Sequence, residues 1–186
     1  KAGIVDTGID DTHSDLEGRI GESRDFTNSR YGHRDFAGHG SHVAGIIVGK
    51  SVGIAPHAKV YPAKGLGDNG SGSSRQICLA LEWLGAQGVH AINLSLGSPY
   101  PDPYIHAAIR ALNTAGIPVF AASGNSGPGQ KTGEFPGEWE EVFEIAAVDQ
   151  ALAVASFSSR SPNLDVAGPG VEIVSCKAGG GYVNMS

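Results

Sequence analysis

The chain has 186 residues, of which 40% are hydrophobic, and its formal net charge at pH 7 is −6. This length is enough for one α/β domain with a hydrophobic core. The acidic balance and the lack of a Lys/Arg cluster argue against nucleic acid or an anionic membrane surface as a partner. No apolar run is long enough to span a bilayer, so we expect no membrane-embedded segment.

Short apolar runs alternate with helical patterns from the start of the chain. We predict a buried strand from Ala2 to Val5 that ends at Asp6, and a second strand from Ala58 to Ala63. In residues 74–87 apolar side chains recur at helical spacing, which predicts an amphipathic helix that Gly88 ends. These side chains are Ile77, Ala80, Leu81 and Leu84.

The same succession of elements then repeats. Val89 to Leu96 is predicted to be a strand, and it is followed by a helix that Gly116 ends. The apolar face of that helix consists of Ile105, Ala108, Ile109 and Leu112, and the later strands are Ile117 to Ala122, Val142 to Val148 and Leu164 to Ala167. Strand, helix, glycine and strand in this order are typical of a parallel sheet with right-handed crossovers. The predicted fold is therefore α/β, a three-layer parallel sheet with helices on both faces.

The two ends of the chain show no flanking elements of their own. The chain opens within a strand-like run at residues 1–5 and closes at residues 181–186 without a closing element. We expect a single domain over residues 1–186 that is incomplete at both ends and truncated on its C-terminal side.

Two cysteines are too few for a disulfide framework. Cys78 falls in the apolar helical pattern and is predicted to be a buried free thiol. Cys176 has no informative surroundings, and neither residue identifies the redox compartment.

Three short polar segments follow predicted strands, where open parallel sheets gather their functional groups. They are Asp6-Thr7-Gly8, Ser95-Leu96-Gly97 and Ser123-Gly124-Asn125. Taken alone, Asp6-Thr7-Gly8 indicates an aspartate that caps the next turn, and Ser123-Gly124-Asn125 indicates an ordinary Gly/Asn turn. Asp-Thr-Gly is also found in aspartic peptidases, but these need a second copy of the motif, which this sequence lacks.

A histidine-containing segment, His39 to Gly45, combines two histidines with small residues that allow close helix packing. A lone histidine is usually a surface or cap residue. His39 and His42 are spaced for zinc on a helix, but zinc sites of this kind add a Glu base or a third close ligand, and neither is evident.

A dinucleotide-binding site is the competing enzyme class. Residues 65–70 spell G-x-G-x-x-G after a strand, but Ser71 and Gly72 delay the helix whose N-terminus would bind the pyrophosphate. The next strand ends without an acidic residue that could bind the ribose. The sequence therefore disfavours a dinucleotide-binding enzyme.

Taken together, these segments resemble the subtilisin-like serine peptidase family in order and spacing, over essentially the whole chain. The main matches are residues 6–10, 39–45, 95–97 and 122–125, and residues 52–56, 68–72, 155–159 and 165–170 also resemble family segments. The resemblance implies a serine endopeptidase with an Asp-His-Ser triad, in the chain order known from subtilisin itself.

The resemblance assigns roles to single residues. Asp6 would orient the imidazole of His39, His39 would be the general base and then the general acid, and Asn125 would donate to the oxyanion. Peptide substrate would lie as an added strand between two backbone edges, with one wall of the specificity pocket beside them. The implied substrate-binding residues are Gly70, Ser71, Gly72, Ser95, Leu96, Gly97, Ala122, Ser123 and Gly124.

The nucleophile that the family requires is expected beyond this chain. The family places it in a Gly-Thr-Ser segment at the start of a helix, and Ser186 lies three positions before that serine. We therefore expect the chain alone to be inactive. A non-catalytic pseudopeptidase or peptide-binding scaffold of the same fold is the alternative, although intact Asp6, His39 and Asn125 favour a working enzyme.

Two departures from the family pattern bear on calcium and specificity. Residues 45–53 are too short for the family's calcium loop, although Asp15 matches a calcium ligand, so we expect no tight site and at most a weak one near Asp165. Glu134 stands where many members have a small residue at the base of the specificity pocket; it either faces the pocket or joins the acidic surface formed by Glu138, Glu140 and Glu141. The resemblance further implies polypeptide substrates, no cofactor, a monomer and secretion.

Overall fold

Seven parallel strands form the central sheet of the structure, a computed structural model that describes residues 1–186. The elements are β1 (Ala2–Asp6), β2 (Arg24–Asp25), α1 (His39–Val48), β3 (Val60–Lys64), α2 (Ser74–Ala86), β4 (Ala91–Leu94), α3 (Pro103–Thr114), β5 (Val119–Ala122), β6 (Val142–Val148), β7 (Val166–Pro169), β8 (Ile173–Cys176) and β9 (Tyr182–Met185). The strand order in the sheet is β2-β3-β1-β4-β5-β6-β7, and β8 and β9 form a separate antiparallel pair. No helix is both long enough and apolar enough to cross a bilayer.

Hydrophobic clusters cover the sheet on both faces, which confirms the three-layer α/β prediction. Successive side chains of β1 point to opposite faces. Ile4 packs in a cluster with Ala44 and Val48 of α1, whereas Val5 packs in the cluster that contains Leu81 and Leu84 of α2. The helix α3 joins the second cluster through Ile109 and Leu112.

The predicted helices α2 and α3 begin at strong caps. Ser73 and Gln76 form a reciprocal capping box at α2. Asp102 caps α3 by accepting hydrogen bonds from the backbone N–H groups of Tyr104 and Ile105, and Pro103 occupies the first helical position. Apolar periodicity and the glycine that follows each helix predicted both, and the end of α2 at Ala86 lies one residue before the predicted end.

Two predicted strands are shorter by two or more residues in the structure than in the sequence pattern. β4 begins at Ala91 and ends at Leu94, because β1 offers it partners only at residues 2–4 and β5 only at residues 119–121. β5 begins at Val119, two residues after the predicted start at Ile117. Residues 95–97 therefore leave the ladder, and their backbone is free for other partners.

The prediction that residues 181–186 contain no closing element is wrong. β9 pairs with β8, and the hairpin packs on α1, where the Ser175 hydroxyl donates to the carbonyl of His42 at 2.7 Å. Three successive glycines, 179–181, have positive φ angles and turn the chain between the two strands. Strand pairing of this kind depends on the surface of α1, which a local pattern does not describe.

The predicted burial of Cys78 is also incorrect, because this free thiol is only partly buried at the edge of the α2 face. Cys176 is the buried one. It packs in the α1 cluster, where burial and the nearby Asp15 carboxylate raise the pKa of its thiol to about 11.

Candidate active site

The carboxyl ends of three adjacent strands bring the predicted site residues to one edge of the sheet. Asp6 is the last residue of β1, Ser95 follows β4, and Ser123 follows β5. His39 is the first residue of α1 and reaches the end of β1 from outside the sheet.

Asp6 and His39 form a direct hydrogen bond. The distance from His39 Nδ1 to Asp6 Oδ1 is 2.7 Å, and the Asp6 side chain is 1% exposed whereas that of His39 is 45% exposed. The hydrogen bond to Asp6 raises the pKa of His39, against the opposing effect of burial. Since a carboxylate accepts, Nδ1 carries the proton and donates it, which leaves Nε2 free to accept a proton.

Glycines bring the start of α1 close to the turn that follows β1. A Cβ atom on Gly40 would lie 2.2 Å from the carbonyl oxygen of Gly8 and 3.2 Å from Asp6 Oδ1. Gly8 itself has a φ angle of 118°, a conformation that residues with side chains rarely adopt. A larger residue at position 40 would push the start of α1, and with it His39, away from Asp6, whereas one at position 8 would collide with the backbone carbonyls of His33 and Arg34.

The two predicted substrate edges face the same cavity. It has a volume of about 640 Å³ and is lined by Gly70, Ser71 and Gly72 on one side, by Ser95, Leu96 and Gly97 on the other, and by His39. Apolar side chains complete its lining, among them Leu66, Ile77, Ile105 and Trp139. A cleft with a polar backbone edge on each side fits an extended peptide chain.

The segment after β5 is held by backbone hydrogen bonds and leaves Asn125 at the surface. Ser123 N–H donates to the carbonyl of Ile145, and the carbonyl of Gly124 accepts from Ser159 N–H at 3.0 Å. Asn125 is exposed. Of the three residues that the resemblance placed in the catalytic machinery, the structure joins Asp6 and His39 by direct contact and puts Asn125 two strands away along the same edge.

Glu134 lies in a slot between the segments that follow β4 and β5. A Cβ atom on Gly97 would come within 2.3 Å of Glu134 Oε2, and one on Gly124 within 2.6 Å of Glu134 Cδ. The Ser126 hydroxyl donates to Glu134 Oε1 at 2.8 Å, and Glu134 N–H donates to the carbonyl of Ser123. The half-buried side chain is thus enclosed by Gly97 and Gly124 rather than extended into solvent.

The histidines of residues 39–45 do not converge on a metal. His42 Nε2 lies 2.9 Å from the carbonyl oxygen of Ile173 and 3.2 Å from that of Val183, so the ring faces the hairpin while His39 faces Asp6. No group of three or more His, Cys, Asp or Glu side chains is arranged to hold a metal ion.

Sequence reasoning missed two buried charged residues around the pair. Asp35 accepts hydrogen bonds from residues on both sides of His39, and Lys64, at the end of β3, is fully buried with its ammonium group near Thr7. A charged residue that ends an apolar strand is a usable signal for Lys64. Asp35 lies in an irregular loop that carries no such signal.

The comparisons with known proteins identify the family of the chain. The chain matches the model of the Subtilase family over residues 1–186. It is 40% identical over 191 residues to an alkaline protease of Alkalihalobacillus alcalophilus, with all of this chain but 49% of that protein covered, and 40% identical to Subtilisin Savinase of Lederbergia lenta, of which it covers 69%. The chain therefore spans only part of the length of these relatives.

Solved structures give the same result. Sphericase superposes with a TM-score of 0.89 at 29% identity, and a cold adapted subtilisin-like serine proteinase with a TM-score of 0.92 at 26% identity. Both alignments cover 100% of this chain, with 71% and 68% of the respective structures. The chain belongs to the subtilase family.

Proposed function

We propose that the full-length protein carrying this chain is a serine endopeptidase that uses Asp6 and His39 as two members of its triad. The observation that carries the proposal is the 2.7 Å hydrogen bond between a buried carboxylate and an imidazole that lines the peptide-sized cleft. The family membership of the chain supports the same reaction class.

The reaction assigns one task to each residue. The serine, which we expect beyond Ser186, attacks the scissile carbonyl while His39 Nε2 accepts its proton and later returns it to the leaving amine. Asp6 holds His39 in the tautomer that carries its proton on Nδ1, and it stabilises the imidazolium once His39 is protonated. Asn125 donates its side-chain amide to the oxyanion; loss of such a donor costs about 2.7–4 kcal/mol, a magnitude that belongs to subtilisin itself.

Substitutions in the full-length protein test this function. His39→Ala is expected to abolish peptide hydrolysis, and Asn125→Ala to lower kcat by roughly 10²–10³-fold with little change in KM, because the donor acts on the transition state. His57→Ala, at an exposed histidine, is the matched control and should leave the kinetics unchanged.

Three results would contradict the proposal. Unchanged kcat in Asn125→Ala would remove that residue from the mechanism. A wild-type protein that binds peptides without cleaving them would support the non-catalytic scaffold instead. The 186-residue chain alone is expected to be inactive, so casein hydrolysis by it that survives His39→Ala would place the chemistry elsewhere.

We further infer that the residue before the scissile bond is basic. Gly97 belongs to one substrate edge and Gly124 lies beside Asn125. The Glu134 carboxylate fills the space between the two glycines, and the Ser126 hydroxyl is its only side-chain hydrogen-bond partner. A lysine or arginine side chain entering this slot would form a charge-assisted hydrogen bond with Glu134, whereas an acidic side chain would be repelled.

Three peptide substrates with Lys, Phe or Glu before the scissile bond measure this preference. We expect kcat/KM to favour Lys over Phe by about 10–100-fold in the wild type, and Glu134→Gln to remove most of that difference. Glu140→Gln changes an exposed glutamate of the same acidic surface and should keep the preference. A preference for Phe, or a lysine preference that survives Glu134→Gln, would make Glu134 a surface residue.

The remaining properties follow from the family resemblance. We propose polypeptide substrates, secretion and a monomer, with no cofactor and at most a weak calcium site near Asp165.

A further inference from the structure

A buried carboxylate lies beside the catalytic pair without touching the imidazole. Asp35 is 7% exposed and accepts four hydrogen bonds. Its Oδ1 accepts from the Thr7 hydroxyl at 2.8 Å and from Gly38 N–H at 2.8 Å, and its Oδ2 accepts from the N–H and hydroxyl groups of Ser41 at 2.8 and 2.7 Å.

The four donors belong to the two segments that carry Asp6 and His39. Thr7 directly follows Asp6, whereas Gly38 and Ser41 lie on either side of His39. The Thr7 hydroxyl also accepts a hydrogen bond from Gly40 N–H at 3.0 Å. One carboxylate thus ties the end of β1 to the first turn of α1, the two places whose separation sets the distance between the catalytic side chains.

Lys64 holds the same turn from the opposite side. Its ammonium group, which is fully buried, donates to the carbonyls of Thr7 and Arg34 and to Asp68 Oδ1. Since its ion-pair partner is Asp68, Lys64 does not neutralise Asp35 by direct contact. The charged groups around the imidazole are therefore Asp6 from β1 and Asp35 from the loop before α1, and both are negative.

We propose that Asp35 is a positioning residue of the reaction, one that fixes Asp6 relative to His39 and stabilises the imidazolium through its negative charge. The inference rests on the proposed peptidase function. It separates two contributions, because the hydrogen bonds of Asp35 act on geometry while its charge acts on protonation. The hydrogen bond from His39 to Asp6 and the charge of Asp35 both raise the pKa of His39.

The charge contribution can be measured without catalysis. NMR titration of the histidines in the 186-residue chain should show a lower pKa for His39 in Asp35→Asn than in the wild type, because a negative charge that favours the imidazolium is lost. The titration of exposed His57 should not change. Asp25→Asn is the matched control, since Asp25 accepts three hydrogen bonds, all from Thr27 and Ser29 of its own loop.

The geometric contribution needs the full-length protein. Asp35→Asn places an amide N–H₂ against two existing donors, so we expect kcat to fall by roughly 10–100-fold at an unchanged KM and the acid limb of the pH–rate profile to move to lower pH. Thr7→Val removes the hydrogen bonds to Asp35 and Gly40 but keeps the charge. It should lower kcat without moving the acid limb.

The outcomes separate this proposal from the proposed function. An inactive wild-type protein would contradict the peptidase function, yet the histidine titration would still decide whether Asp35 acts on His39. An unmoved His39 pKa together with unchanged kcat in Asp35→Asn overturns the proposal. The proposal is also overturned if kcat in Asp35→Asn falls only in proportion to the unfolded fraction while the pH–rate profile stays unchanged. A merely structural role of Asp35 predicts that result.

Discussion

Buried ionisable side chains differ sharply in how well their surroundings satisfy them. Asp35 and Lys64 are each surrounded by hydrogen-bond partners. Glu144 on β6 is also fully buried, but neither of its carboxylate oxygens has a hydrogen-bond partner, and Oε1 of nearby Glu138 lacks one as well. Burial raises the pKa of Glu144 against the opposing effect of the nearby Ser161 hydroxyl, and the neighbouring carboxylates of Glu138 and Asp165 raise it further.

This residue makes stability depend on pH. Because the folded-state pKa of Glu144 is raised, its contribution is fully favourable below the ordinary carboxyl pKa and is lost as the pH rises through the folded value. Glu144→Gln should therefore be more stable than the wild type at neutral pH, because the neutral amide avoids the cost of burying a charged carboxylate. Below the ordinary carboxyl pKa the difference should vanish.

Urea unfolding across this pH range provides the measurement. Glu141→Gln is the neighbouring control, since Glu141 pairs with His106 at 3.0 Å and with Arg110 at 3.5 Å, and that variant should gain nothing at neutral pH. Equal stability of Glu144→Gln and the wild type at all pH values would show that Glu144 finds a partner in solution.

At the scale of elements, contacts with Asp15 anchor the end of α1. The chain that leaves α1 folds back on Asp15, whose Oδ1 accepts from Ser51 N–H at 3.0 Å and whose carbonyl accepts from Lys50 N–H at 3.0 Å. Asp15 Oδ2 lies 3.9 Å from the Cys176 sulfur. A backbone amide and a thiol thus contact the Asp15 carboxylate, and we propose that this arrangement disfavours calcium binding here.

The expected consequence is weak dependence on calcium. Thermal unfolding of the full-length protein in excess EDTA should shift the midpoint by no more than a few degrees, because a ligand stabilises only in proportion to its binding. The weak site proposed near Asp165 is tested by adding calcium back to the wild type and to Asp165→Asn and comparing their unfolding midpoints. A fall of tens of degrees in EDTA would mean that a strong calcium site exists in the protein.

At the scale of the whole molecule, the two faces of the sheet are covered unequally. The cluster beneath α2 and α3 contains 17 buried residues, whereas the cluster beneath α1 contains 7 and is closed by the β8–β9 hairpin through Cys176. On β5 and β6, Phe120 and Phe143 stack with ring centroids 4.9 Å apart, and Phe143 is 47% exposed. The larger cluster supports the strands whose carboxyl ends border the candidate cleft.

Several properties of this protein were predictable from sequence because their causes are local. Apolar periodicity and terminating glycines predicted α2 and α3, and the succession of strands and helices predicted the parallel sheet. Asp6 and His39 were predicted from short motifs whose order resembles a known family, and the structure brings the two side chains into contact.

Other properties were decided by tertiary structure, because they depend on contacts between residues distant in sequence. The length of β4 depends on its neighbours, and the β8–β9 hairpin depends on the surface of α1. The sequence left two orientations for the Glu134 side chain, toward the pocket or toward solvent, and only the structure shows that Gly97 and Gly124 enclose it. Asp35 gains its role from a donor 28 residues away as well as from nearby ones, and no local pattern describes a hydrogen-bond network that exists only after β1 and α1 have packed together.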